Sequence, residues 1–255
     1  MFKSMYTAKT QLLTFLFLLL GGLYPLVGQA PQELTATQVL KTVDTKMFPD
    51  ARTELMLYTS EKGELVDEQK LTAMARNRNQ LILVRFTAPS ELVGRDLLFR
   101  GRDVWYHDPS TQREIRIPAS ETYGASNFSY GDVVRLNYSD NYIPQILQHS
   151  ERGWTLELTG KDRDAPYHRI LLEVSPEFTL LRGICYSRSG EVIKNMQWSD
   201  IRTMGGEKKP VRLVVASPLE PEKLSIMITV KEELKTYPEN IFNLRNLGAR
   251  LEEKE

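Results

Sequence analysis

Histidines are the side chains best suited to moving protons near neutral pH or to binding a transition metal, and this chain has three: His107, His149 and His168. None is followed at i+4 by a histidine or carboxylate, the spacing that sets two zinc ligands on one helix face, so the pattern offers no metal site. Acyl-transfer chemistry fares no better. No Gly-x-Ser-x-Gly elbow occurs, and Ser126 and Ser129 stand in a tyrosine-rich stretch without a base close in sequence, which leaves only a dispersed catalytic site as an enzymatic alternative. Asp162 and Asp164 fall in a polar stretch between two apolar runs, where such a pair marks a solvated turn. Cys185 is the only cysteine, which excludes an internal disulfide and a thiolate metal cluster.

What remains is chemistry of binding. Trp105 and Tyr106 are adjacent in an apolar run, so on a strand they face opposite sides, and Trp105 reads either as a ligand contact or as a core aromatic. Phe128 and Tyr130 lie on one side of a small, polar loop and suit either a flap over a cavity mouth or a buried anchor. Arg85, Arg95, Arg113 and Arg116 cluster around these motifs and can pair with acidic side chains or with an anionic head group.

The elements that must carry these residues follow from periodicity. Val39, Val43 and Met47 recur at helical spacing over residues 35–48, with Thr35 or Thr37 as N-cap and Pro49 as the stop. The period then changes to two. Leu55 with Leu57, Leu71 with Ala73, Leu81 with Leu83, Ile115 with Ile117, the 154–158 run and the 224–230 run alternate as antiparallel strands do, giving about ten strands between residues 52 and 231. Residues 81–86 and 213–216 are apolar on both faces, which suits either a packed core plus a sheltered second surface or an ordinary two-layer core. Two interruptions, residues 120–146 and 238–251, are expected to hold short helical segments. The mixture of Gly124, Gly131, Tyr123, Phe128, Tyr130 and Tyr138 suggests that residues 120–138 form a movable cover.

At the N-terminus, Lys3 and Lys9 precede an apolar run at residues 12–20, then Gly28 and Ala30, the layout of a cleaved signal peptide over residues 1–30. The apolar stretch is short for a membrane anchor and holds Gly21, Gly22 and Pro25. The 255-residue chain carries 33 basic and 33 acidic residues with no basic block, which argues against nucleic acid as a partner. Residues 31–255 are expected to form a single domain.

Several ordered pieces resemble a known family: Arg85-Phe86-Thr87-Ala88-Pro89, Gly94 with Leu97-Leu98-Phe99, Val104-Trp105-Tyr106-His107-Asp108-Pro109, Arg113-Glu114-Ile115-Arg116-Ile117, Asn127-Phe128-Ser129-Tyr130-Gly131-Asp132, and Asn243-Leu244-Arg245-Asn246-Leu247. In order and spacing they are similar to the outer-membrane lipoprotein-sorting proteins, relatives of the periplasmic lipoprotein carrier LolA. That resemblance implies a mainly β fold, a single strongly curved antiparallel sheet forming an unclosed half-barrel with a few covering helices. It implies a non-catalytic, monomeric periplasmic carrier without cofactor that holds lipid or lipoprotein acyl chains. Transient membrane contact and an inner-membrane exporter of the resistance-nodulation-division type are implied partners. A lipid- or lipoprotein-sensing adaptor is the alternative within the same fold. The expected lipid-contacting set is Leu55, Leu57, Leu81, Leu83, Leu98, Trp105, Ile115, Ile117, Phe128 and Tyr130.

Overall fold

The structure is a computed structural model that describes residues 33–100 and 103–248, so the expected signal peptide at residues 1–30 lies outside the described residues. The chain opens with helix α1 (Ala36–Met47). Thr35 caps it, its hydroxyl accepting from the Gln38 N–H while the Gln38 side chain accepts from the Thr35 N–H, a reciprocal capping box. Val39, Leu40, Val43 and Met47 form its buried stripe.

Six strands follow in sequence: β1 (Ala51–Glu61), β2 (Glu64–Arg76), β3 (Leu81–Ala88), β4 (Asp96–Arg100), β5 (Asp103–Asp108) and β6 (Arg113–Ile117). Tight turns join the first three. Lys62 and Gly63 both have positive φ, as do Asn77, Arg78 and Asn79, and left-handed backbone is where Gly and Asn are best tolerated. Residues 118–141 then cross one face of the sheet, carrying the short helices α2 (Tyr130–Val133) and α3 (Tyr138–Asn141). Seven more strands return: β7 (Tyr142–Ser150), β8 (Gly153–Gly160), β9 (Arg169–Val174), β10 (Leu180–Tyr186), β11 (Val192–Met204), β12 (Glu207–Ser217) and β13 (Glu220–Leu234).

Among the described residues these thirteen strands make one antiparallel sheet in the order β6-β5-β4-β3-β2-β1-β13-β12-β11-β10-β9-β8-β7. The last strand pairs with the first, Met56 opposite Ile228 and Tyr58 opposite Ile226. The edges β6 and β7 do not pair with each other, so the barrel is unclosed. Thirteen strands stand where periodicity suggested about ten, and residues 142–146, expected inside an interruption, belong to edge strand β7. The reason is local: Ile143 and Leu147 on β7 are exposed, so this strand shows no clean apolar alternation.

The sheet uses both faces. On the inner face α1 and the crossing segment pack against Leu55, Leu57, Leu71, Ile82, Val84, Leu97, Leu156 and Leu172. On the outer face of β2 to β5 a C-terminal strap, residues 237–248, buries Tyr237, Phe242 and Leu247 against Met74, Leu81, Leu83 and Leu98. Arginines fasten that strap. Arg76 donates to the Tyr237 carbonyl at 2.6 Å, Arg100 to that of Phe242 at 2.9 Å and Arg85 to that of Asn246 at 3.2 Å, while Asp96 accepts from the Gly248 N–H at 2.9 Å. Charged donors on backbone carbonyls are strong bonds, and here they hold a segment with only single turns of helix of its own.

Candidate functional site

The site is built where α1, the crossing segment and the strands β10 to β13 meet. Alternation on β11 points Met196 and Trp198 inward, β12 adds Leu213 and β13 adds Met227, since Trp198 pairs with Leu213 and Leu213 with Met227. Met47 and Phe48 reach in from the end of α1, and Leu136, Tyr138 and Tyr142 from the crossing segment and β7. These side chains line a cavity of about 70 Å³. That is room for two or three waters.

Buried charges fix the walls. The carbonyls of Lys46 and Met47, at the end of α1, accept from Lys209 Nζ at 3.2 Å and Arg135 Nη2 at 3.3 Å, so two cations meet the negative end of the helix. Lys209 also pairs with Glu232 at 2.5 Å, both almost fully buried; burial pulls the lysine below its ordinary pKa and Glu232 opposes that shift. On the other side of the cavity Asp132 accepts from Tyr167 Oη at 2.5 Å and Lys194 Nζ lies 3.4 Å from the same carboxylate oxygen. Ser129 caps α2 through the Asp132 N–H, and Asp132 returns the bond to the Ser129 N–H. Burial pushes the phenols of Tyr138, Tyr142 and Tyr167 well above their ordinary range, and the buried Cys185 thiol likewise. These groups stay protonated and hold position.

Asp44 joins the two covering pieces. It sits on α1 and accepts from the Tyr138 N–H at 2.9 Å and the Ser139 N–H at 2.6 Å, fastening α1 to the start of α3. Burial raises its carboxyl to about 6, against those two N–H groups, which pull it down.

The crossing segment is not a loose cover. Phe128, Ser129, Val133 and Val134 are fully buried, and the Asn127 amide donates to the Lys223 carbonyl at 2.9 Å while its N–H donates to Ser225 Oγ at 2.8 Å. Of the two roles expected for Phe128, flap and buried anchor, the structure shows the anchor: Ser126, Asn127 and Ser129 bind the sheet and cap the segment's own turns, while Glu121 and Thr122 face solvent. Ser126 Oγ donates to the Tyr123 carbonyl and Ser129 serves as a cap, so both serines that could have been nucleophiles are held in turns. The histidines are scattered. His107 is buried on the outer face beside Glu114, His149 stacks on Trp154, and His168 is exposed. Asp162 accepts from the Asp164 N–H, a solvated turn.

The residues expected to contact lipid divide between the two faces. Leu55, Leu57 and Phe128 lie in the inner core with Tyr130 packed on it, and Ile115 and Ile117 share that face on edge strand β6, opposite Tyr106 and Val104. Leu81, Leu83, Leu98 and Trp105 are instead on the outer face beneath the strap. Sequence reasoning missed the cavity's own lining, Met47, Met196, Trp198, Leu213 and Met227. The alternation of Met196 and Trp198 was the available signal.

Residues 78–249 match a family model described as an uncharacterized protein. Among solved structures, the chain is similar to a LolA superfamily protein from Nitrosomonas europaea, 27% identical with a TM-score of 0.77 over 84% of this chain and 100% of that one. The chain belongs to the family this model describes, and its fold is that of the LolA superfamily. A DUF1329 family protein from Desulfovibrio piger shares the fold at 17% identity and a TM-score of 0.71, covering 83% of this chain and 97% of its own. So does a domain assigned to outer membrane lipoprotein sorting from Vibrio parahaemolyticus, at 17% identity and 0.69, covering 82% and 97%. No curated protein matches in sequence.

Proposed function

We propose that this chain is a non-catalytic periplasmic carrier that holds the acyl chain of a lipid or lipoprotein against the inner face and passes it toward the outer membrane. In this reading residues 1–30 are an export signal, residues 31–255 act as one domain, and an inner-membrane exporter of the resistance-nodulation-division type is the donor. The observation that carries the reading is the cavity at the junction of α1, the crossing segment and β10 to β13. Three methionines, Met47, Met196 and Met227, line it beside Phe48, Trp198 and Leu213. Methionine is unbranched and adapts its shape, so a small void lined this way widens at lower cost than one walled by β-branched residues.

Magnitudes support the idea. Each buried methylene is worth about 0.8 kcal/mol, so roughly ten methylenes supply about 8 kcal/mol, the scale of micromolar binding before the cost of opening. The cavity must widen to take a chain, because about 70 Å³ is far below an acyl chain's volume. Of the expected contacts, Leu55, Leu57, Phe128, Tyr130, Ile115 and Ile117 are on the face this carrier would use, whereas Leu81, Leu83, Leu98 and Trp105 serve the strap. Native mass spectrometry of the full chain expressed with its own N-terminus and recovered from the periplasm tests the proposal. The expected spectrum shows a chain shortened near residue 30 with adducts of lipid mass. A bare polypeptide that also takes up no added lipid would overturn it.

A further inference from the structure

Most arginines on the strands β2 to β5 have partners: Arg76, Arg85 and Arg100 hold the strap, and on β6 Arg116 pairs with Asp103. Arg95 differs. It precedes β4, where Asp96 and Leu98 face outward, so alternation turns Arg95 inward with Leu97 and Phe99. Its backbone is engaged, the N–H donating to Leu92 and the carbonyl accepting from Phe86. Its side chain is not. Nε is shut off from solvent with no hydrogen-bond partner, and among the described residues no carboxylate makes an ion pair with the guanidinium. The carboxylate nearest along the ladder, Asp108, feels the Arg95 charge without hydrogen-bonding it, and one of its oxygens accepts from the Ser110 N–H at 2.9 Å and hydroxyl at 2.8 Å.

Aromatic side chains share the inner face with Arg95. Tyr123 stacks on Phe86 with ring centres 6.0 Å apart and meets Tyr130 edge-on at 5.3 Å, and its hydroxyl is spent on Gln69 at 2.6 Å. Tyr106 lies opposite Leu97 on the same face. The Tyr106 and Tyr130 hydroxyls make no hydrogen bond among the described residues, and both side chains are partly exposed. Both phenols feel the Arg95 charge, yet burial raises them above their ordinary pKa, so they remain donors at neutral pH. Half-exposed Ile115, cross-strand from Tyr106 on the unclosed edge, gives an apolar approach.

We propose that Arg95, with the hydroxyls of Tyr106 and Tyr130, seats the phosphate of a free phospholipid whose acyl chain lies on the inner face. A guanidinium and two phenol donors on one face of the sheet suit a tetrahedral oxyanion, and a guanidinium that holds no hydrogen-bonded carboxylate breaks no such bond when the phosphate arrives. The proposal rests on the carrier reading and narrows it, because the acylated cysteine of a lipoprotein carries no phosphate to occupy this seat.

The test is equilibrium binding to the exported chain of three probes: lysophosphatidylglycerol, a monoacylglycerol of the same chain length, and inorganic phosphate. Wild type should prefer the lysophospholipid over the neutral lipid by about tenfold or more, and Arg95→Gln should remove that preference while keeping the affinity for monoacylglycerol. Tyr106→Phe with Tyr130→Phe, which keeps both rings, should weaken the lysophospholipid alone and guards against loss of fold in the arginine variant. Equal lysophospholipid affinity in wild type and both variants, with monoacylglycerol still bound, would remove the phosphate seat and leave the carrier reading standing. Failure of wild type to bind either lipid would remove both. Inorganic phosphate binding as tightly as the lysophospholipid would overturn the assignment to a lipid head group.

Discussion

Asp44 gives the sharpest quantitative expectation, because a buried carboxylate that joins two covering elements makes stability depend on pH. Its carboxyl lies at about 6 in the fold against an ordinary 3.8. Between those values the folded chain binds more protons than the unfolded one, so this group's contribution is fully present below about pH 4 and is lost as pH rises through 6. At about 1.4 kcal/mol per pH unit the full loss is about 3 kcal/mol, with the opposing pull of the Tyr138 and Ser139 N–H groups already contained in the value of about 6. Asp96 is also raised by burial and acts in the same direction, whereas Glu54 is lowered, chiefly by its hydrogen bond to Arg52, and acts oppositely at lower pH. A single pH profile would mix all three. The clean quantity is the urea-unfolding free energy of wild type minus that of Asp44→Asn, measured from pH 4 to pH 7. That difference should fall by about 2.5 kcal/mol across the range. The variant should pay about 1–3 kcal/mol at pH 4, since an amide NH₂ then faces one of the two N–H donors. A difference that stays constant, or grows with pH, would refute the argument that burial outweighs the two hydrogen bonds.

Two further outcomes follow from the two faces of the sheet. Phe242→Ala should cost about 3–5 kcal/mol in urea unfolding and should also expose Trp105, shifting its emission to the red; a loss under about 1 kcal/mol would mean the strap is not packed as described. Lipid uptake should change the emission of Trp198, which lines the cavity, so Trp198→Phe should abolish the signal and Trp105→Phe should keep it. The reverse result would move the ligand to the outer face.

Much of the scaffold could be read from local pattern. Thr35 and Pro49 bound α1, and the alternation of Leu55 with Leu57 or Leu71 with Ala73 marks strands whose inward residues are the ones found in the core. Pairing of β1 with β13 could not be read, because Ala51 and Leu234 are brought together only after the whole sheet has been laid down between them. The crossing segment misled for a physical reason. Ser, Asn and Gly ordinarily mean solvent, but Asn127 binds the Lys223 carbonyl and Ser129 caps a buried turn, so polar composition here satisfies buried backbone.

The double apolar pattern of residues 81–86 was legible as two covered faces, yet nothing local says what covers each. Ile82, Val84 and Phe86 meet the inner core, while Leu81 and Leu83 meet the strap. Several pieces that carry the family resemblance converge on that outer contact. Arg85 binds the Asn246 carbonyl, Leu98 and Trp105 lie beneath the strap, and Asn243 caps its last turn through the Arg245 N–H. A resemblance built from these residues reports how a C-terminal segment is fastened to a sheet, which is information about fold. Ligand identity has to be sought in side chains with no such duty. Trp198 and Met227 at the cavity, and Arg95 with its two spare phenols, are the positions where a substitution can alter binding without loosening the strap.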